Sequence, residues 1–119
     1  MGEKSFSRDV RLLTPAHFEN VFSDATAAST PYITLLARKN TLQQPRLGIT
    51  LAKKRIRRAH ERNRVKRLVR ESFRHHLALL ADLDIVVIGK TGLDQLSNQE
   101  IFRLLEKQWK RLHRRCNAH

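Results

Sequence analysis

Three short segments of the chain have the pattern of strands: one is rich in strand-forming residues, one alternates apolar with other residues, and one is continuously apolar. Residues 32–37 are rich in strand-forming side chains, and residues 46–52 carry an apolar side chain at every second position. Residues 84–88 form an apolar run closed by Gly89, which is typical of a strand covered on both faces. The segment 24–30 is small and polar. We therefore predict three clear strands within a small mixed sheet of four.

Apolar residues at helical spacing predict three helices. The first starts at Thr14-Pro15, an N-cap residue followed by proline at the first helical position, and is expected to end near Phe22. A long central helix is predicted over 59–80, which contains no Gly or Pro, and Ser97 is predicted to cap a last helix. The single tryptophan of that last helix is expected to be a packing residue. The order of elements indicates an α+β fold.

The charge of the chain points to a polyanionic partner. Its 119 residues include 24 Lys and Arg against 11 acidic residues, a formal net charge of +13. Hydrophobic residues make up 40%, so we expect one folded domain over 1–119 and not a disordered basic tail. Cys116 is the only cysteine, which excludes an internal disulfide. No secretory signal or membrane span is expected, which favours the cytoplasm.

Nearly half of the positive charge lies between residues 53 and 74, opposed only by Glu61 and Glu71. At about 100° per residue, six polar side chains share one flank of the predicted helix: Arg62, Asn63, Lys66, Arg67, Arg70 and Arg74. A solvated face would interleave acidic residues at i+4. Five further cations precede the helix, whose free N–H groups favour phosphate: Lys53, Lys54, Arg55, Arg57 and Arg58. Arginine also binds phosphate in a bidentate manner and stacks on bases, so RNA is the expected partner.

The same segments resemble the bacterial ribonuclease P protein family. The matching residues are Arg46-Leu47-Gly48, Ala52-Lys53-Lys54, Ala59 and the run Arg62-Asn63-Arg64-Val65-Lys66-Arg67-Leu68-Val69-Arg70-Glu71-Ser72-Phe73-Arg74. The segment from Arg11 to Phe22 and the strand from Asp84 also match, so the resemblance covers most of the chain. The order and spacing of the Arg-Asn-Arg and Lys-Arg positions are highly specific.

The resemblance implies a fold and a role. The fold is a ribosomal S5 domain 2-like sheet packed by three helices, with a left-handed crossover between Leu51 and Ile85. The family's RNA subunit hydrolyses precursor tRNA with Mg²⁺, while the protein binds that RNA and the 5′ leader of the substrate, as a monomer in a 1:1 complex. No cofactor is expected on the protein alone.

The resemblance also implies two groups of contact residues. Those expected to face RNA are Lys53, Lys54, Arg55, Arg58, Arg62, Asn63, Arg64, Lys66, Arg67, Arg70 and Arg74. Those expected in a cleft for the leader are Arg11, Phe18, Phe22, Tyr32 and Arg46. Phe18 and Phe22 are one helical turn apart, and this spacing fits a core as well as a groove where bases stack. The strand after Tyr32 carries no second aromatic residue, unlike some family members.

The sequence contains no set of residues typical of a catalytic or metal site. Asp82 and Asp84 are the only close acidic pair and are expected to shape a turn, while adjacent His75 and His76 diverge on a helix. A small ribosomal or other structural RNA-binding protein remains the main alternative. A helix-turn-helix protein would need two short helices joined by a tight turn before the long one. A nuclease acting without RNA is the last alternative.

Overall fold

The computed structural model describes residues 15–117, which form three α-helices, four strands and a short 3₁₀ turn at Leu93–Gln95. In chain order the elements are α1 (Pro15–Ser23), β1 (Thr26–Ser29), β2 (Ile33–Lys39), β3 (Arg46–Thr50), α2 (Ala59–Arg74), β4 (Leu83–Gly89) and α3 (Asn98–Cys116). This confirms the predicted α+β class. No helix among these residues is long and apolar enough to cross a membrane.

The four strands form one mixed sheet in the order β1-β2-β4-β3. The pairs β1–β2 and β2–β4 are antiparallel, whereas β3 and β4 are parallel and are connected through α2. The fourth strand, β1, lies within the segment 24–30, whose small and polar residues carry no clear strand pattern. Its Ala28 is fully buried, and a small side chain fits there because α3 packs closely over β1.

The helices cover both faces of the sheet. The side chains of Leu35 and Val87 belong to the main core, on the face packed by α2 and α3. On the opposite face α1 packs against β2 and β4, and Val21 and Val86 form a second, smaller buried cluster. Only Ile88 of β4 is not fully buried, which confirms that this strand is covered on both sides.

The central helix is shorter than its pattern predicts. It ends at Arg74 and not at 80, because the N–H groups of His75 and His76 bond to carbonyls three residues back and tighten the last turn. The chain then passes through turns to Leu80, which is fully buried and begins the approach to β4. Apolar residues continue at helical spacing here because they anchor a turn to the core, not because the helix continues.

The last helix begins and packs as predicted. Ser97 Oγ accepts a hydrogen bond from Glu100 N, and the Glu100 carboxylate accepts one from Ser97 N, which completes a capping box. These bonds hold the pKa of Glu100 below its ordinary value. Trp109 is fully buried, lies edge-on to Phe73 with ring centroids 6.0 Å apart, and donates to Ser72 Oγ at 2.8 Å. Its predicted role in packing is confirmed.

Candidate nucleic-acid interface

Helix α2 separates its charged and apolar residues cleanly. Its buried side chains are Val65, Leu68, Val69, Ser72 and Phe73, as the periodicity predicts. Asn63, Arg67 and Arg70 lie on the opposite side and are exposed, while Lys66 is half-buried at the border. Arg74 is also half-buried and is ion-paired with Glu71. The outward side of α2 is therefore a surface of hydrogen-bond donors.

Arg62 bonds to the loop that precedes its own helix. Its Nη1 donates to the carbonyl oxygens of Ile56 and Arg57, both at 2.8 Å. The Ile56 side chain is fully buried in the main core, which fixes the middle of this loop to the domain. One buried apolar side chain and one guanidinium therefore hold the loop in place. Arg62 thereby helps to fix the shape of the basic surface.

Arg64 connects α2 to the start of α3. Its guanidinium donates to Asn98 Oδ1 at 2.5 Å and to the backbone oxygens of Asp94 and Leu96 at 3.1 and 3.2 Å. Its Nε also bonds to Glu61 at 2.7 Å, and this bond holds the pKa of the Glu61 carboxyl below its ordinary value. The structure therefore places Arg64 inside a junction between helices, on a different side of α2 from the exposed donors.

The loop before α2 presents a dense group of cations. Five side chains are exposed there: Lys53, Lys54, Arg55, Arg57 and Arg58. Four of them line an open pocket of about 430 Å³ together with Thr91, Gly92, Asp94 and Gln95. Arg58 is the N-cap residue of α2, and its side chain makes no capping hydrogen bond. The first N–H groups of the helix therefore add their partial positive charge to that of the loop.

The two candidate aromatic residues of α1 differ in exposure. Phe18 is half-buried and packs against the small cluster of Val21 and Val86, whereas Phe22 is 49% exposed. His17 and Asn20 contact Arg46 and Arg38 at one end of the sheet. Because these two residues lie on the opposite side of α1 from Phe18 and Phe22, the two rings point toward the other end of the sheet. Ile88 lies at that end and packs against the same small cluster.

Beyond these two rings the sheet surface is open. By alternation along the strands, Ser29, Thr34 and Thr50 point to the same face as Ile88. Tyr32 is 37% exposed and precedes β2 at this same end, with its carbonyl bonded to Lys90 N at 2.9 Å. This open face of the sheet, with exposed aromatic rings at its margin and hydroxyl groups on its strands, is called here the groove beside α1.

Arg46 lies on the other side of α1 from this groove. Its Nε and Nη2 bond to the two oxygens of Asp84 at 2.9 and 2.7 Å, and this hydrogen bonding raises the pKa of the guanidinium. Asn40 also donates to Asp84 at 2.8 Å. Asp82 is exposed with φ 72°, and its carbonyl accepts from Asn40 N. The two aspartates therefore do not converge on one point, and Arg46 is not beside the aromatic residues.

Some of the predicted residues fall elsewhere. Arg11 lies outside the residues that the structure describes. Within residues 15–117, no three His, Cys, Asp or Glu side chains are grouped so that they could hold a metal ion. Two further residues of this interface, Ile56 and Asn98, are not among those that the sequence pattern predicts. The former stands out as a lone large apolar residue among cations, but the latter carries no signal, because its partner is 34 residues away.

The chain is similar in sequence and in fold to known proteins. The ribonuclease P family model matches residues 6–113. The ribonuclease P protein component of Pseudoalteromonas atlantica is 64% identical over 116 residues, covering 98% of this chain and 97% of that protein. That of Histophilus somni is 55% identical, covering 93% of each. The solved RNase P protein of Thermotoga maritima superimposes with a TM-score of 0.76 at 31% identity, covering 85% of this chain and 96% of that one. The chain therefore belongs to the ribonuclease P protein family, the protein components of a tRNA-processing endoribonuclease.

Proposed function

We propose that this protein binds a ribonuclease P RNA through α2 and the loop at 53–58. The observation that carries this proposal is the concentration of exposed donors on one side of a helix whose other side is buried in the core. A net charge of +13 on so small a domain repels itself, and phosphate relieves that repulsion. Asn63, Arg67, Arg70 and the loop cations are the proposed contacts, with Lys66 at the border.

Arg62 and Arg64 have a different part in this proposal. Both guanidinium groups are bonded to protein oxygens. Their main role is therefore to hold the basic surface in shape, and they project less from it. An arginine has five N–H donors, and those not used internally remain suited to phosphate at the edge of the interface. Lysine in their place would keep the charge and lose the planar geometry.

The groove beside α1 is the proposed site for the 5′ leader of precursor tRNA. Single-stranded RNA binds to grooves where bases stack on aromatic rings and the backbone meets polar groups. Phe22 and Tyr32 offer exposed rings, and Phe18 supports the first of them. We assign Arg46 a supporting role here, since its bidentate bond to Asp84 fixes the end of the sheet over which α1 packs.

The reaction itself is assigned to the RNA partner. In this proposal the RNA holds the Mg²⁺ ions and performs the hydrolysis, one protein binds one RNA, and the complex acts in the cytoplasm. The protein supplies phosphate contacts, which lower the repulsion between RNA and substrate and so reduce the concentration of Mg²⁺ that the reaction requires.

Reconstitution tests this function. The protein is added to a bacterial ribonuclease P RNA, and cleavage of precursor tRNA is measured at low Mg²⁺ with the RNA alone as the reference. Strong stimulation is expected with both components, and no cleavage with the protein alone. A lack of stimulation would contradict the proposal. Sustained cleavage by the RNA-free protein would show instead that the protein has its own active site.

A further inference from the structure

Helix α3 carries a second cationic surface that the function proposed above does not use. Its 19 residues include six Lys and Arg but only two acidic residues, and none of the acids follows Glu106. All six cations are exposed, and four of them recur at spacings of three and four residues on one side of the helix: Arg103, Lys107, Lys110 and Arg114, called here the α3 row. At about 100° per residue they fall within an arc of roughly 60°. They form a straight row about 16 Å long.

The α3 row points directly away from the core. The buried residues of α3 are Ile101, Leu105, Gln108, Trp109 and Leu112, and the centre of that stripe is on the opposite side of the helix. Arg115 lies outside the row, toward the sheet, where it donates to the carbonyl oxygen of Ala27 at 2.5 Å. Packing therefore explains Arg115 but not the row.

Ordinary helix electrostatics explain only part of the row. Cations in the last turn offset the helix dipole, and this accounts for Arg114. Lys110 pairs with Glu106 at 3.2 Å, both side chains being more than half exposed, and Arg103 lies near Glu100. Lys107 has no ion pair among the described residues, and it sits mid-helix, where the dipole has little effect. The remaining positive charge of the α3 row is not neutralised by α3 itself, so an external anion is the expected partner.

The α3 row is separate from the cations of α2. A groove of about 310 Å³ between the two helices is lined by Glu71, Glu106, His75, His76, Ser72 and Phe102. Arg64 and Glu71 are on the α3 side of α2, whereas Arg62 and Lys66 fall on the far side. Two carboxylates thus stand between the surfaces, each paired with a cation of its own helix, so the positive charge of α3 is not continuous with that of α2 across this groove.

We propose that the α3 row binds the backbone of a base-paired segment of RNA, distinct from the segment that contacts α2. The outward face of α3 has no exposed aromatic ring among the described residues, so it lacks the stacking groups that single-stranded RNA uses. Duplex RNA is recognised mainly through phosphates and 2′-hydroxyls, for which a straight row of cations is suited. Two contacts on one RNA also raise affinity through effective concentration.

The inference rests on the proposed function, and its test separates the two. One variant neutralises the α3 row with Arg103→Gln, Lys107→Gln, Lys110→Gln and Arg114→Gln, since glutamine has a similar helix propensity. A matched control keeps the charge with Arg103→Lys, Lys107→Arg, Lys110→Arg and Arg114→Lys. A third variant, Lys66→Gln with Arg67→Gln, weakens the α2 surface. Affinity for a bacterial ribonuclease P RNA is measured for each over a series of KCl concentrations, with melting temperatures as a check on folding.

Neutralising the α3 row should lower the slope of log affinity against log salt by roughly two to four units and weaken binding about tenfold or more. The charge-preserving control should behave like the parent protein. With short RNAs of equal length, the loss should be large for a duplex and small for an unstructured single strand. An equal loss on both would overturn the duplex assignment.

Other outcomes are also decisive. Normal binding by the neutralised row, with weaker binding by the α2 variant, would overturn this inference and leave the proposed function intact. Normal binding by both variants would overturn both. If the neutralised variant melts lower, equally weak binding by the charge-preserving control would assign the loss to packing and overturn the inference.

Discussion

At the scale of single residues, neighbouring arginines of one motif have different tasks. Arg64 bonds to four oxygens of its own protein, while Arg67 is exposed. The two side chains carry the same charge, but only the guanidinium of Arg67 is fully available to an external phosphate. Their substitutions should therefore separate stability from RNA binding.

We expect Arg64→Ala to destabilise the fold by about 1–3 kcal/mol, because the carbonyls of Asp94 and Leu96 lose their donors. Arg67→Ala should change stability by less than about 0.5 kcal/mol and reduce RNA affinity instead. Urea unfolding and RNA titration check both. Equal stability of the two variants would contradict the structural role of Arg64.

Substitutions of the two phenylalanines of α1 should also have different effects on stability and on binding. Phe22 is exposed, so Phe22→Ala should leave the melting temperature nearly unchanged and cost about 1–3 kcal/mol of binding for long-leader precursor tRNA. Phe18→Ala should lower stability by part of the roughly 3–5 kcal/mol of a fully buried ring. Leaderless substrate is the control. An unchanged difference in affinity between long-leader and leaderless substrates would show that Phe22 does not contact the leader.

At the scale of elements, each helix is held in place by a different set of interactions. Helix α3 relies on its capping box, α2 on its apolar side and the bonds of Arg62 and Arg64, and α1 on the small cluster with Val86. The start of α3 matters most for the interface, since Asn98 and the backbone just before it receive the guanidinium of Arg64. Loosening this cap should therefore disturb α2 as well.

Ser97→Ala should destabilise the protein by about 1 kcal/mol through loss of the cap. The contribution of Glu100 should depend on pH. Its pKa is lowered in the folded state, so its stabilisation is present above the ordinary pKa of glutamate and is lost as the pH falls through the folded value. The difference in melting temperature between the parent and Glu100→Gln should be full at pH 7 and should shrink as the pH falls below the ordinary pKa of glutamate. A constant difference across this range would contradict the assignment.

At the scale of the whole molecule, the chain carries a net charge of +13 on a small core. Its positive surfaces lie on α2 with the preceding loop and on α3, while the groove beside α1 is on the opposite face of the sheet. An RNA subunit and a leader strand can therefore approach from different sides. The cost of this arrangement is self-repulsion in the free protein.

Salt should have opposite effects on folding and on binding. Raising KCl from about 50 to 300 mM screens repulsion and should stabilise the free protein by about 1 kcal/mol, or roughly 3–6 °C in melting temperature. The same change should weaken RNA binding steeply by counterion competition. Thermal melts and RNA titrations in the same buffers test this. A melting temperature that falls with KCl would contradict self-repulsion.

The sequence by itself determined the features that depend on neighbours along the chain. Local signals located β2, β3, β4 and the starts of α2 and α3: strand-forming composition, alternation, a continuous apolar run, helical spacing and a capping serine. The capping box is complete within four residues, and the apolar side of α2 follows from spacing. The excess of positive charge and its concentration before and along α2 also needed no structure.

Only the tertiary structure decided the features that depend on distant partners. β1 is a strand because α3 covers Ala28, and α2 ends at Arg74 because the chain must turn to bury Leu80. Arg46 and Arg64 bond to groups 38 and 34 residues away. A long, flexible cationic side chain takes the direction of the nearest acceptor in space. Helical spacing therefore predicted which side of α2 faces outward, and the fold determined that Arg62 and Arg64 bond to oxygens of the protein itself.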